Sequence, residues 1–197
     1  MYTPEKADSV RGIKVPDKNI AVVDGRNIED IAGKNSRFYD LTEFILSETV
    51  RESKDYIARL EKEIESLKSL AYLAFADALK IHDEWESIYI SNMNFEKADD
   101  IAKKMINEML SDTKEGKKQI TYHRFLGAAT PYGSRDFIQN LTEGINKRYF
   151  IKGRPGSGKS TILKAILKEA ESRNITVEVY HCGFDPNSLD MLILRSE

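Results

Sequence analysis

The stretch Gly153-Arg154-Pro155-Gly156-Ser157-Gly158-Lys159-Ser160 matches the phosphate-loop pattern G-x-x-x-x-G-K-[ST], and its reading decides the expected fold. The flanking sequence has the order such a loop requires. Arg148-Tyr149-Phe150-Ile151-Lys152 reads as a short buried strand, and Ser160 to about residue 173 reads as a helix. In that helix Ile162, Leu163, Ile166, Leu167 and Ala170 share one stripe, the face that would pack on a sheet.

The residue types follow from the chemistry of a phosphate chain, which carries more negative charge than one side chain can balance. Several backbone N–H groups converging at a helix N-terminus supply the rest, and that end carries roughly half a positive charge. Gly153, Gly156 and Gly158 let the backbone approach phosphate oxygens closely, while Arg154, Pro155 and Ser157 fill the free positions. Lys159 is expected to reach the β and γ phosphates. The Ser160 hydroxyl is expected on Mg²⁺, which prefers hard oxygen ligands.

Composition narrows the classes. The 197 residues, 41% of them hydrophobic, suffice for one domain or two small ones. A net charge of −2 and a pI near 6.0 argue against nucleic acid and anionic membranes as partners. The densest basic run, Lys114 to Lys118, is interrupted by Glu115 and Gly116 and reads as a solvated loop. A single cysteine, Cys182, excludes an internal disulfide. With no signal-like or membrane-length apolar stretch, the expected compartment is the cytoplasm.

Upstream of the loop, Ile13-Lys14-Val15, a turn at Pro16 to Asn19, and Ile20-Ala21-Val22-Val23-Asp24 read as two strands. Four apolar residues followed by Asp24 also have the form of a Walker B strand, whose carboxylate helps hold Mg²⁺, although buried strands that end in Asp-Gly turns are common without that role. Residues 36–110 are helical in pattern, starting with a capping-box-like Asp40 and Glu43. Ile57, Leu60, Ile64 and Leu67, then Ala71 and Ala74, continue at alternating spacings of three and four to Trp85, a seam of about four heptads. Asn92-Met93-Asn94 breaks the pattern before Phe95, Ala98, Ala102, Met105 and Met109 resume it, which predicts an antiparallel helical hairpin. The hairpin offers a surface to a protein partner, with ordinary helical packing as the plainer explanation. His82 beside Asp83 and Glu84 is disfavoured as a metal site, because adjacent helical residues point in different directions.

Residues 127–133, rich in glycine, mark a boundary, after which Ser134 reads as the N-cap of a helix carrying Phe137, Leu141 and Ile145. Ile175 to Cys182 alternates as a strand, and Leu189 to Leu194 begins another apolar run. Asp8 to Val15 looks like a second copy of Asn187 to Leu194, as though the chain held the tail of one nucleotide-binding unit and the head of another. The organisation expected is therefore a strand segment at 1–35, a helical hairpin at 36–112 and a phosphate-loop unit at 120–197. The fold class is α/β of the P-loop NTPase type, a mostly parallel sheet with the hairpin inserted. That sheet would be incomplete or pseudo-permuted, with Ile20 to Val23 joining it and Asp24 arriving near Lys159 and Ser160.

His123-Arg124-Phe125 with Ala128 to Gly133, Arg148 through Thr161, and His181-Cys182-Gly183-Phe184-Asp185-Pro186 resemble an uncharacterised bacterial family with two phosphate-loop units, labelled ATPase or nucleotide-kinase-like. The resemblance covers nearly the whole chain, without the first unit's phosphate loop. It implies ATP or GTP binding with Mg²⁺ and adds Thr161 to the nucleotide-binding set, but it supplies no substrate.

Three functions follow. The first is a Mg²⁺-dependent NTPase in which Lys159 and Asp24 are catalytic, Ser160 and Asp24 hold the metal, Arg148 or Arg135 is the candidate for transition-state charge, and hydrolysis moves the hairpin. The second is phosphoryl transfer to a small acceptor with Asp185 as base, against a plainer role for Asp185 in a turn. The third is a helical interaction module whose loop is vestigial, with oligomerisation or domain swapping left open. A soft-metal site at His181 and Cys182 is disfavoured, since neighbouring strand residues face opposite ways.

Overall fold

The computed structural model describes residues 9–25, 35–45, 47–111, 113, 115–116 and 118–195. The chain divides into two compact units, Met1–Ala74 and Phe75–Glu197, with the division inside one long helix. Asp8, Lys114 and Lys117 lie outside the described residues, as do 26–34 of the expected 1–35 segment.

In the N-terminal unit the alternating apolar residues form a hairpin, β1 (Gly12–Val15) antiparallel to β2 (Ile20–Val23) through a 3₁₀ turn at Pro16–Lys18. The Asp24 amide donates to the Arg11 carbonyl at 2.8 Å and closes its open end. These two strands make a sheet of their own. The expected pseudo-permuted sheet is therefore not formed: β2 pairs with β1 alone, and neither Phe150 nor Ile151 lies in a strand. Helical structure also begins later than expected. Asp40 caps a short 3₁₀ turn at Thr42–Phe44, accepting from the Thr42 amide at 2.8 Å and its hydroxyl at 2.6 Å. Then come α1 (Ser47–Glu52) and α2 (Lys54–Ile90). Helix α2 has 37 residues and no buried side chain, and at 1.5 Å per residue it is roughly 55 Å long.

The C-terminal unit starts with the last part of α2. Asn92 ties its side chain to the Ile88 carbonyl at 2.8 Å, and Asn94 caps α3 (Phe95–Leu110) by accepting from the Lys97 amide at 3.0 Å. Two asparagines stop one helix and start the next, as the break in the pattern implied. The expected hairpin does not close, however, because α3 packs on α5 (Lys159–Ser172) and not along α2. The apolar face of α3 is spent in the core, where Ile106 and Met109 adjoin fully buried Leu110.

That core lies on one face of a three-stranded mixed sheet of order β3 (Thr121–Phe125), β6 (Thr176–His181), β7 (Leu189–Arg195). Strand β3 runs parallel to β6 and β7 antiparallel to it, so the sheet is mixed and not mostly parallel. Val177 and Val179 point from β6 to Ala170 of α5, and all three are fully buried. On the opposite face Glu178 accepts from Arg124 of β3 at 2.5 Å, from Tyr180 at 2.7 Å and from Arg195 of β7 at 2.9 Å, lacing the three strands together. Burial pushes the Glu178 carboxyl up, but the hydrogen bonds from Tyr180 and Arg195 and the charges of both arginines outweigh it and hold the pKa below the ordinary value.

Arg148 to Lys152 is not a strand, and Phe150 is 88% exposed. Both edges of β6 are already taken, by β3 and β7, so no slot beside it remains for the segment before the loop. The glycine-rich stretch before it folds as a second hairpin, β4 (Gly127–Thr130) with β5 (Gly133–Asp136). The helix after it shrinks to α4 (Ile138–Leu141), whose first amide is held by Asp136 at 3.1 Å; Ser134, the expected cap, sits in β5. The architecture is thus mixed α/β with one long helix, and no helix among the described residues is long and apolar enough to cross a membrane.

Candidate functional site

The loop at residues 153–158 leads into α5 as the sequence requires. Gly156 and Gly158 have φ of 73° and 82°, the left-handed region that disfavours other residues, and Gly158 is the N-cap of α5. The Ser157 amide bonds the Arg154 carbonyl at 3.2 Å and rounds the turn. Helix α5 runs back along the sheet into β6, so its N-terminus lies at the carboxyl end of the parallel pair β3 and β6. A hydrogen bond fixes this placement: the Leu189 amide, opposite His181 in the ladder, donates to Ser160 Oγ at 2.9 Å. Open α/β sheets bind ligands outside the carboxyl ends of their strands.

An anionic side chain already sits on the loop. The Gly156 amide donates to Oε1 of Glu86, on α2, at 2.8 Å. The approach is close. A Cβ added to Gly156 would lie 2.6 Å from the Glu86 carbonyl oxygen and 2.9 Å from Tyr89 Cβ, so only glycine fits beneath this helix. Tyr89, Met93, Asn94 and Lys97 border the same spot, and with Gly156 and Ser157 they line a shallow cavity of about 330 Å³.

The Lys159 and Ser160 side chains are engaged by groups of the protein itself. Lys159 Nζ donates to the Arg154 carbonyl at 2.7 Å, Ser160 Oγ serves the β7 amide, and the buried Ser157 Oγ has no hydrogen-bond partner. Gly153 lies against Ser157, Pro155 is half-buried, and Arg154 and Thr161 are exposed. The glycines, Lys159 and Ser160 are therefore brought together as the motif implied. Asp24 follows β2 in the N-terminal unit, and the joint sheet on which its assignment as the Walker B carboxylate rested is not formed.

Other sequence candidates have structural roles. Arg148 donates to the Thr142 carbonyl at 2.7 Å, Arg135 lies in β5 opposite Ala128, and Asp185 accepts from the Asn187 amide at 3.0 Å as a turn carboxylate. Two groupings were missed. His82, Asp83 and Glu86 bring their ligand atoms within 4.8 Å of one another, with His82 Nδ1 buried, 3.8 Å from Asp83 and without a hydrogen-bond partner; Glu86, one turn on from His82, stands in this grouping in place of the Glu84 of the disfavoured set. His181 meets His123 of β3, not Cys182, with Nε2 and Nδ1 2.9 Å apart. Since His181 Nδ1 lies 2.7 Å from the Pro186 carbonyl, an acceptor, Nδ1 carries the proton and Nε2 accepts from His123.

The residues fit a phosphate at the loop: a left-handed glycine amide that already holds a carboxylate, a lysine, and a hydroxyl at the head of a helix. For Mg²⁺ the donor of the right chemistry is Ser160 Oγ, now engaged by Leu189. No protein-family model matches the chain, and no curated protein or solved structure was found to be similar to it.

Proposed function

We propose that the loop at residues 153–160 binds the polyphosphate of a nucleoside triphosphate, ATP first and GTP as the alternative, together with Mg²⁺, and that the protein is a cytoplasmic NTPase. The observation that carries this reading is the Gly156 amide bonded to the Glu86 carboxylate, an anion held where a phosphate oxygen would sit. A phosphate arriving there displaces Glu86. Lys159, now on the Arg154 carbonyl, would turn to the β and γ oxygens, and Ser160 Oγ, now accepting from the Leu189 amide, would be the hydroxyl to hold the cation. Bound Mg²⁺ would supply charge neutralisation on the phosphates. Because Glu86 belongs to α2, its release on binding would uncouple that helix from the loop, and loss of the phosphate after hydrolysis would let the carboxylate return, a mechanical cycle.

Calorimetric titration with Mg·ATP and Mg·GTP tests the reading. Heat of binding should be present for the parent and lost in Lys159→Ala; equal heats for the two proteins, or none for the parent, would refute it. One observation favours a second reading, a helical interaction module with a vestigial loop. The segment before the loop, anchored in a sheet in a working phosphate-loop domain, here lies outside any strand with Phe150 in solvent. That reading expects Lys159→Ala to be silent in every assay.

A further inference from the structure

We infer that the first half of α2 pairs with the same segment of a second copy of this chain, as a parallel, in-register two-stranded coil. This goes beyond the nucleotide reading and stands independently of it. Ile57, Leu60, Ile64 and Leu67 follow one another at spacings of three and four, and all remain open to solvent: 37%, 37%, 50% and 58% exposed. A face of this kind stays in water only at a cost of about 25 cal/mol for each Å² of apolar surface.

The residue choice names the occupant. Counting Ile57 as position a of a heptad puts Ile57 and Ile64 at a and Leu60 and Leu67 at d. In parallel coils, isoleucine at a with leucine at d is the combination that favours two strands over three or four. Ala71 and Ala74 take the next a and d positions, and their small side chains let two backbones approach.

The flanking charges agree with the same register. In a parallel pair the residue at g faces the residue at e of the following heptad on the other strand. Here that sets Glu63 against Lys68 of the second copy, twice by symmetry, and one heptad later Leu70 against Phe75, both exposed. Lys68 lies 3.6 Å from Glu65 on its own helix, a surface pair of small energy that does not compete strongly with a flanking contact. An antiparallel pair centred on the same seam would instead set Lys68 against Glu61 and Glu63 against Leu70. The two arrangements therefore predict different mutants.

Sedimentation equilibrium on the full chain should give twice the 22.5 kDa chain mass. Glu63→Lys should weaken association roughly tenfold, and adding Lys68→Glu should restore it. In a Cys182→Ser background, Leu60→Cys should oxidise to a covalent dimer while Ser66→Cys, on the outer face, should not. In the antiparallel pair Leu60 would stack on Ala71, leaving the two introduced thiols roughly 16 Å apart and beyond disulfide reach. Leu60→Glu should give a monomer whose helical circular dichroism and nucleotide binding match the parent. A monomeric parent, an unchanged dimer in Glu63→Lys, or equal crosslinking at positions 60 and 66 would each overturn the inference.

Discussion

Helices α5 and α2 both carry apolar residues at helical spacing, yet their fates differ. Helix α5 has 14 residues and buries Ile166 and Ala170 against β6 and β7, whereas α2 has 37 and buries none. Periodicity states that a face needs a partner without saying where the partner is. For α5 it lies a few residues on, because the chain turns at Arg173-Asn174 and returns at once as β6. For α2 nothing adjacent in sequence serves, since the helix that follows it spends its own apolar face on α5.

The contrast can be broken by truncation. Leu110→Ala, in the α3–α5–sheet core, should cost about 3 kcal/mol of unfolding free energy, because it leaves a cavity among fully buried neighbours. Denaturant titration checks this, and a loss under 1 kcal/mol would mean that α3 is not part of that core. Leu73→Ala, on the outer side of α2, should shift the same curve by less than about 0.5 kcal/mol.

A second test works between these extremes and uses pH. The folded Glu178 carboxyl titrates below its ordinary value, so its contribution is complete above that value, 4.5, and fades as pH falls through the folded pKa. Glu178→Gln should therefore destabilise the protein by about 1 to 2 kcal/mol at pH 7, with the gap to the parent narrowing steadily below pH 4.5. A gap that stays constant into acid would show that Arg124 and Arg195 gain nothing from the charge.

How much of this the sequence disclosed depended on distance along the chain. The β1–β2 hairpin, the asparagine break at Asn92 to Asn94, and the run from loop through α5 to β6 are local patterns, each legible within about thirty residues. The segment Tyr149-Phe150-Ile151 looked like a strand because apolar runs usually find a sheet edge, and which edges are free is a property of the whole sheet. Residues 127–133 looked like a boundary because Gly127, Pro131 and Gly133 suit a tight hairpin as well as a linker. In the site, the motif itself was legible. Its partner was not: Glu86 lies 70 residues from Gly156, and no short pattern links a helix carboxylate to a distant glycine amide.

The most direct measurement is a calorimetric titration of Mg·ATP into the parent and into Glu86→Gln. With the resident carboxylate removed, the loop should bind about tenfold tighter, the worth of one charge-assisted hydrogen bond no longer competing. Affinity unchanged by Glu86→Gln, or no binding to either protein, would contradict the claim that this glutamate holds the place of a phosphate.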